Sequence, residues 1–264
     1  MEKFEPYIAG RAGGFEDAVE VPLVDPATEE AWGVSLVSVR AAEAAVGAAT
    51  DAMASPAWRD LPLQDRANAM RRLALLAEEH AQEFTRLESV QTGKLLKATR
   101  GEGAHVAETL NYFAGLADAL SGRLVELAPT TEGKVVHEPL GVVAGITPFN
   151  GALSLGIWKV APALAMGNAV ILKPPADAPG SSILLARLAT EAGFPDGVLS
   201  VVPGDAEVAG VLVDDPRVAL VSFTGSTAVA RQIGARVTGR MGQFVCETGG
   251  KSPQIVFADA DLDR

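Results

Sequence analysis

The sequence has little to offer disulfide or metal chemistry. Among 264 residues there is one cysteine, Cys246, and three histidines, so no intramolecular disulfide can form and the cysteine density of small secreted scaffolds is missing. That usage points to a reducing, intracellular setting, with the cytoplasm as the expected compartment. The start, MEKFEPYIAGR, carries acids and no apolar signal-peptide core. His80 falls on an apolar stripe with no second His, Cys or carboxylate cluster at metal spacing, so it reads as a packing residue and no metal site is expected. Positive charge is scarce too. Twenty-two Lys and Arg face 33 Asp and Glu, a formal net charge of −11, which argues against a nucleic-acid partner held through its phosphates. An uninterrupted hydrophobic run is also missing. Between Gly141 and Lys173 the only charges are Lys159 and Lys173, but Pro148, Asn150, Pro162 and Asn168 break the stretch well short of the ~18 apolar residues that a membrane span requires. It reads as buried core, and no membrane partner is expected.

What is present is an α/β pattern. A chain of this length can bury roughly 70–75% of its unfolded surface, enough for a large core. VPLVDPATEEAWGVSLVS reads as two short strands around a Pro-Ala-Thr turn, and AAEAAVGAATDAMA as a helix. A single long helix is expected from PLQDRANAM to QTG, with Leu73, Leu76, Ala77, His80, Phe84 and Leu87 on its packed face and Gly93 as its stop. A second helix covers GAHVAETLNYFAGLADALSG, with Leu110, Phe113, Leu116 and Leu120 packed and Gly122 closing it. Residues 123–140 form a hairpin about Pro129 to Gly133, a segment able to project and pair with another chain. After Gly141, apolar strands (GVVAGITP, AVILKPP, GVLSVVPG, VALVSFTG, QFVCETGG) alternate with helical segments. Buried strands joined by helices imply right-handed crossovers, hence a doubly wound parallel sheet, Rossmann-like in class, with N-terminal helices and a β-hairpin arm. Such sheets bind ligands beyond the carboxyl ends of their strands. The expected divisions are residues 1–122, an N-terminal helical and strand part; 123–140, the arm; 141–250, the doubly wound core; and 251–264, a closing segment with a strand beginning near Ser252.

Several strand ends carry candidate chemistry. Phe223-Thr-Gly-Ser-Thr227 opens a helix whose amides can bind a phosphate, although an ordinary Ser N-cap has the same sequence. Lys173 ends an apolar strand before two prolines and can donate to ribose or phosphate; a solvated strand end is the plain alternative. Asn150 can stabilise an oxyanion, or simply make the turn after Pro148. Cys246 beside Glu247 looks like a nucleophile next to its base. Successive side chains of a strand point to opposite faces, however, so the two cannot serve one pocket.

In combination these segments are more specific. TPFN, KVAPALAMGNAVILKP, GFPDGVLSVVPG, SFTGST and ETGGKSPQIV, in this order and with PATEE and QTGK before them, resemble the NAD(P)-dependent aldehyde dehydrogenase superfamily over essentially the whole chain. The resemblance implies an enzyme that oxidises an aldehyde to its acid with NAD or NADP, and a homo-oligomer in complete form. It implies Glu247 as the general base for the water that releases the acid and Asn150 as the oxyanion amide. Cofactor contacts are implied at Ile146, Thr147, Pro148, Phe149, Lys173, Ala176, Gly204, Phe223, Thr224, Gly225, Ser226, Thr248 and Gly249, with Lys173 on the adenosine ribose and Gly225 and Ser226 at the pyrophosphate. Many NAD-preferring members carry Glu three residues after the lysine; here Ala176 stands there, with Asp177 beside it, which leaves NAD against NADP open.

The same resemblance leaves Cys246 without a catalytic duty, and it is expected to be a small buried residue. The family's nucleophilic cysteine lies farther downstream than the 17 residues from Thr248 to Arg264, which contain none. The expectation is therefore a cofactor domain, inactive alone, for which the alternative is a non-catalytic dinucleotide-binding or subunit-interaction module.

Overall fold

From the first residue to Val37 the chain is largely extended. A computed structural model, which describes residues 1–261, forms there β1 (Glu2–Phe4), β2 (Tyr7–Ile8), β3 (Arg11–Ala12), β4 (Val19–Val24) and β5 (Ala31–Val37). β4 and β5 make the antiparallel pair expected around Pro-Ala-Thr, where the Asp25 carboxylate accepts from the Ala27 amide at 2.8 Å, and β1 joins β5 in parallel. Ser38 then caps α1 (Val39–Ala54), its hydroxyl accepting from the Ala41 amide at 3.0 Å. The short α2 (Pro56–Arg59) follows.

The expected single long helix is two, α3 (Leu63–Glu79) and α4 (Ala81–Thr92), which meet at His80 with φ −95° and ψ 16°. Its amide closes α3 on the Leu76 carbonyl, and its carbonyl opens α4 by accepting from Phe84. Apolar periodicity runs through the break, since Leu73 and Ala77 before it and Phe84 and Leu87 after it are all buried; a pattern that continues cannot reveal the bend. His80 itself is half-buried and its Nδ1 lies 3.2 Å from Glu83. Gly93, at φ 71°, ends α4 as anticipated.

After α5 (Leu96–Thr99) comes α6 (Glu102–Asp118), which stops at Ala119 and not at Gly122. Its buried face is Val106, Leu110, Ala114 and Ala117, and Leu116 is 44% exposed. At about 100° per residue Leu116 sits roughly 120° from Leu110. The seam follows the small residues because α6 packs closely: a Cβ on Gly103 would lie 2.7 Å from the Ala81 Cα. β6 (Arg123–Ala128) and β7 (Thr131–Val135) form the hairpin, a two-stranded sheet of its own with Leu124 and Leu127 exposed.

The remaining chain alternates as the sequence predicts: β8 (Val142–Ile146), α7 (Ala152–Ala165), β9 (Ala169–Lys173), α8 (Gly180–Glu191), β10 (Leu199–Val201), α9 (Ala206–Asp214), β11 (Val218–Gly225), α10 (Thr227–Gly239) and β12 (Gln243–Thr248). The sheet order is β12-β11-β8-β9-β10-β2-β3, with the first five strands parallel and β2 antiparallel to β10. β8 and β9 are buried at every residue, as strands covered on both faces must be. α7 and α8 lie on one face beneath α3, α4 and α6; α1, α9 and α10 cover the other. The chain steps outward from β8 to β10, then returns to β11 on the other side of β8, so the topological switch lies between β8 and β11.

The strand expected near Ser252 is absent. Described residues 249–261 contain no helix or strand, and Ile255, Val256 and Phe257 are each more than half exposed. Pro253 removes one amide donor from this segment. No helix among the described residues is long and apolar enough to cross a membrane.

Trp58 anchors the N-terminal helices to the sheet. It is fully buried, its Nε1 donates to the Gly167 carbonyl at 3.0 Å, its ring lies 5.8 Å from that of Phe194, and the Arg66 guanidinium sits 5.1 Å above it. Trp58→Ala should destabilise the chain by about 3–5 kcal/mol through the cavity it leaves. A urea midpoint unchanged from wild type would show that α2 contributes nothing to the main core.

Candidate functional site

The carboxyl ends of β8, β9, β11 and β12 are held in one register. Ile146 pairs with Lys173 on one side and with Phe223 on the other, while Thr224 pairs with Glu247 and Gly225 with Thr248. Segments distant in sequence thus reach the rim next to the switch, where open parallel sheets bind ligands.

On the β9 side the structure buries Lys173, which is 5% exposed. Its ammonium donates to the carbonyls of Gly204 and, at 3.3 Å, Pro174, tying the loop after β9 to the loop after β10. The Gly204 amide donates to the Pro174 carbonyl at 3.2 Å, and a Cβ on Gly204 would fall 2.4 Å from that of Val208. Lys173 is therefore no solvated strand end. Burial pushes its pKa down to about 8, against the opposing pull of Asp205 and then of Asp177. An ammonium has three donors and two are committed to carbonyls, which leaves one for a ligand. Ala176, partly buried, and Asp177, exposed, follow in the loop.

At the end of β8, Ile146 and Thr147 are buried, Pro148 is half-buried, and Phe149 and Asn150 are exposed in a turn. The Thr147 amide donates to the Lys173 carbonyl at 3.2 Å, but its hydroxyl is buried and has no partner. It is one of nine buried side-chain polar atoms without a partner among the described residues, and the one at this rim next to Lys173. The Asn150 amide makes no hydrogen bond among the described residues and faces solvent.

At the end of β11, Phe223 is buried and its ring fills the space over Gly225, where a Cβ would lie 2.4 Å from the ring carbon Cζ. Ser226 caps α10 by accepting from the Val229 amide at 3.3 Å. The plain N-cap reading is thus the role its side chain fills, while the other free amides of the first turn still point past Gly225.

Sequence reasoning missed Lys159, although it is one of only two charges in the long apolar run. From α7 it reaches across the sheet and donates to Thr224 Oγ1 at 2.8 Å and Ser222 Oγ at 3.2 Å. Burial lowers its pKa to about 8, and the Glu247 carboxylate acts in the opposite sense. It lines a cavity of about 600 Å³ with Trp158, Ser222 and Val245. Register places Glu247 on this face with Val245, opposite Thr224, and Cys246 on the other, beside Phe223. A carboxylate and a lysine that changes charge near neutral pH thus share one side of β12. Thr248 and Gly249 follow Glu247 at the exposed rim.

The expected burial of Cys246 is wrong. Its side chain is exposed. β12 is an edge strand, and the residues of α10 that cover it, Ile233 and Val237, lie over the region of Phe244, which packs against Gly234. The first turn of α10, residues 227–229, is itself exposed and gives Cys246 no cover.

Comparison with known proteins places these features in context. The sequence model of the aldehyde dehydrogenase family matches residues 15–264. A (Z)-2-((N-methylformamido)methylene)-5-hydroxybutyrolactone dehydrogenase of Acinetobacter baylyi is 39% identical over all of this chain and 54% of its own length. A phenylacetaldehyde dehydrogenase of Pseudomonas fluorescens is 44% identical over 83% of this chain and 45% of its own. Among solved structures, an aldehyde dehydrogenase from Pseudomonas aeruginosa superposes with a TM-score of 0.93 at 34% identity, covering 98% of this chain and 53% of that one. The NAD+ complex of an aldehyde dehydrogenase from Bacillus cereus gives 0.93 at 33%, covering 99% and 54%. The chain spans about half the length of the relatives it matches.

Proposed function

This chain belongs to the aldehyde dehydrogenase family, and from that premise we propose that it is the cofactor-holding half of an enzyme that oxidises a small aldehyde to its carboxylic acid with NAD+ or NADP+. The observation that carries the reading is Lys173, buried at the carboxyl end of β9 with one donor uncommitted, two strands from the glycine turn at Gly225. The unpaired Thr147 hydroxyl suits a ligand site, and Gly204 and Gly225 are the turn positions against which Val208 and the Phe223 ring pack. In this reading Lys173 donates to the adenosine ribose, and the amides after Gly225 receive the pyrophosphate at the positive end of α10. Ile146, Thr147, Pro148 and Phe149 form the wall towards Asn150. Thr224, Thr248 and Gly249 border the opposite rim.

When bound, the nicotinamide supplies the hydride acceptor. The protein's own contribution is to orient, polarise and deprotonate. Asn150 would donate its amide to the oxygen that gains charge as the carbonyl is attacked. Glu247 would take a proton from the water that cleaves the acyl intermediate, a general-base role typically worth 10²–10⁴-fold, and Lys159 on the same face is placed to respond to that charge. The nucleophile would come from the part of the longer relatives that this chain does not span. The exposed apolar side chains of the hairpin, Leu124 on one face and Leu127 on the other, support its assignment as an arm that pairs with a second copy, and residues 251–264 would begin the next domain.

Calorimetric titration with NAD+ tests the reading. Lys173 faces Asp205 and Asp177, and a bound dinucleotide favours its charged form. Affinity should therefore be highest below the pKa of about 8 and fall as pH rises through it, by about tenfold between roughly pH 7 and pH 9.5. Lys173→Met should flatten the profile. A pH-independent affinity in wild type would remove the Lys173 ammonium from the ligand.

A further inference from the structure

We propose that the site discriminates against NADP+, and that the carboxylates of Asp205 and Glu207, after β10, make the selection in place of residue 176. The proposal rests on the reading above, in which Lys173 meets the adenosine ribose. Beside the Lys173 loop lies a cleft of about 220 Å³. Ala176, Asp205, Glu207 and Val208 border it from the rim of the main sheet, and Asp17 closes it from the N-terminal segment. The rest of its lining, Val19, Val21, Val37 and Val39, offers no side-chain hydrogen-bond donor. Three of the lining residues are acids and none is Lys or Arg.

Asp205 and Asp17 are each held by hydrogen bonds. Asp205 caps α9, and one of its carboxylate oxygens accepts from the amides of Glu207 at 2.9 Å and Val208 at 3.3 Å. A helix N-terminus of this kind ordinarily welcomes a phosphate; here the protein's own carboxylate already occupies the amides. Glu207 adds a second negative charge in the same first turn. Asp17 accepts from the Ser38 hydroxyl at 2.5 Å and the Arg40 amide at 3.1 Å, which holds its carboxyl below the ordinary range. The Arg40 guanidinium pairs with Glu16 and does not line the cleft. The nearby Lys173 ammonium has two of its donors on the Gly204 and Pro174 carbonyls. A neutral 2′-hydroxyl can donate to a carboxylate here, whereas a 2′-phosphate brings up to two further negative charges against three, with the end of α9 already capped by Asp205 and a single Lys173 donor left to offset them. Ala176 removes the acid from its usual place after the lysine, and the structure supplies acids from the next loop.

The test is calorimetry on the 264-residue chain at pH 7 with NAD+ and NADP+ at low and high salt. NADP+ should bind at least about 30-fold more weakly at low salt, and the ratio should shrink as salt screens the carboxylates. In Asp205→Asn/Glu207→Gln, which keeps a competent N-cap, the ratio should fall by about tenfold. Glu207→Gln alone, which leaves the cap untouched, should lower it by about threefold and covers the case in which the double variant does not fold. NADP+ binding within about threefold of NAD+ in wild type, or a ratio unmoved by either variant, would overturn the proposal while leaving the dinucleotide reading in place. Binding of neither nucleotide would overturn both.

Discussion

A polypeptide of these 264 residues, supplied with NAD+ or NADP+ and with aliphatic or aromatic aldehydes, should produce no reduced nicotinamide. Hydride leaves an aldehyde carbon readily only once a nucleophile has added to it, and in the proposed reaction that nucleophile is a thiolate. The chain has one thiol, Cys246, on the sheet face it shares with its β11 partner Phe223, whereas Glu247 and Lys159 share the opposite face with Thr224. For Cys246 and Glu247 to act on one carbon the strand would have to break between them, and the pairing of β12 with β11 runs unbroken from Gln243 to Thr248. Exposure of Cys246 does not help, because it opens on the wrong side of the sheet. A chain that also includes the second half of a relative should turn over, and Glu247→Gln there should lower the rate of acid release by about 10²–10⁴-fold while an early burst of reduced cofactor persists. The burst separates a base from a merely structural residue, since hydride transfer precedes the step that needs the base. Steady turnover by the 264-residue chain that disappears in Cys246→Ala would refute the assignment of roles to the pair.

Why the sequence was legible in some places and not in others follows from what each pattern encodes. Strand and helix alternation after Gly141 is readable because every β-strand there is short, apolar and bounded by Gly, Pro or Asn, and the parallel sheet follows from burial on both faces. Lys173 and the glycine turn at Gly225 could be placed at strand ends for the same reason. The bend at His80 could not be read, because the apolar stripe continues from Leu73 through Phe84 with no helix breaker between. On α6 the large residues drew attention to Phe113, which does pack against the core, and to Leu116, which is exposed; Ala114 and Ala117, which complete the buried face, carry little periodic signal. Cys246 was misplaced because burial on an edge strand depends on how far the covering helix extends, a property of α10 and not of the strand. Lys159 needed three dimensions: nothing in α7 marks that its side chain passes over Gly145 of β8 to reach Ser222 and Thr224 of β11. The choice between the two cofactors was open for a related reason, since the acids that bear on it, Asp17, Asp205 and Glu207, come from segments far apart in the chain.

Lys173→Ala should weaken NAD+ binding by about 10- to 100-fold, the range expected when a hydrogen bond from a charged donor is lost, roughly 1.5–3 kcal/mol. The variant has two structural effects of opposite sign. It strips the Gly204 and Pro174 carbonyls of their shared donor, which loosens the loops after β9 and β10, and it removes an ammonium whose pKa has been driven down to about 8 by burial. A depressed lysine pKa means that the folded chain binds its proton less well than the unfolded chain. The associated penalty is fully present below about pH 8 and is relieved as pH rises towards the unfolded lysine value near 10.4. At pH 7 the variant therefore trades lost hydrogen bonds for a removed desolvation penalty, and its thermal midpoint should stay close to that of wild type while its affinity falls. Lys173→Met, which keeps the apolar stem, should lose affinity to the same extent if the ammonium is what the ligand meets, and much less if packing is. Unchanged affinity in both variants would take Lys173 out of the site, and with it the reason for placing the adenosine end of the cofactor beside β9.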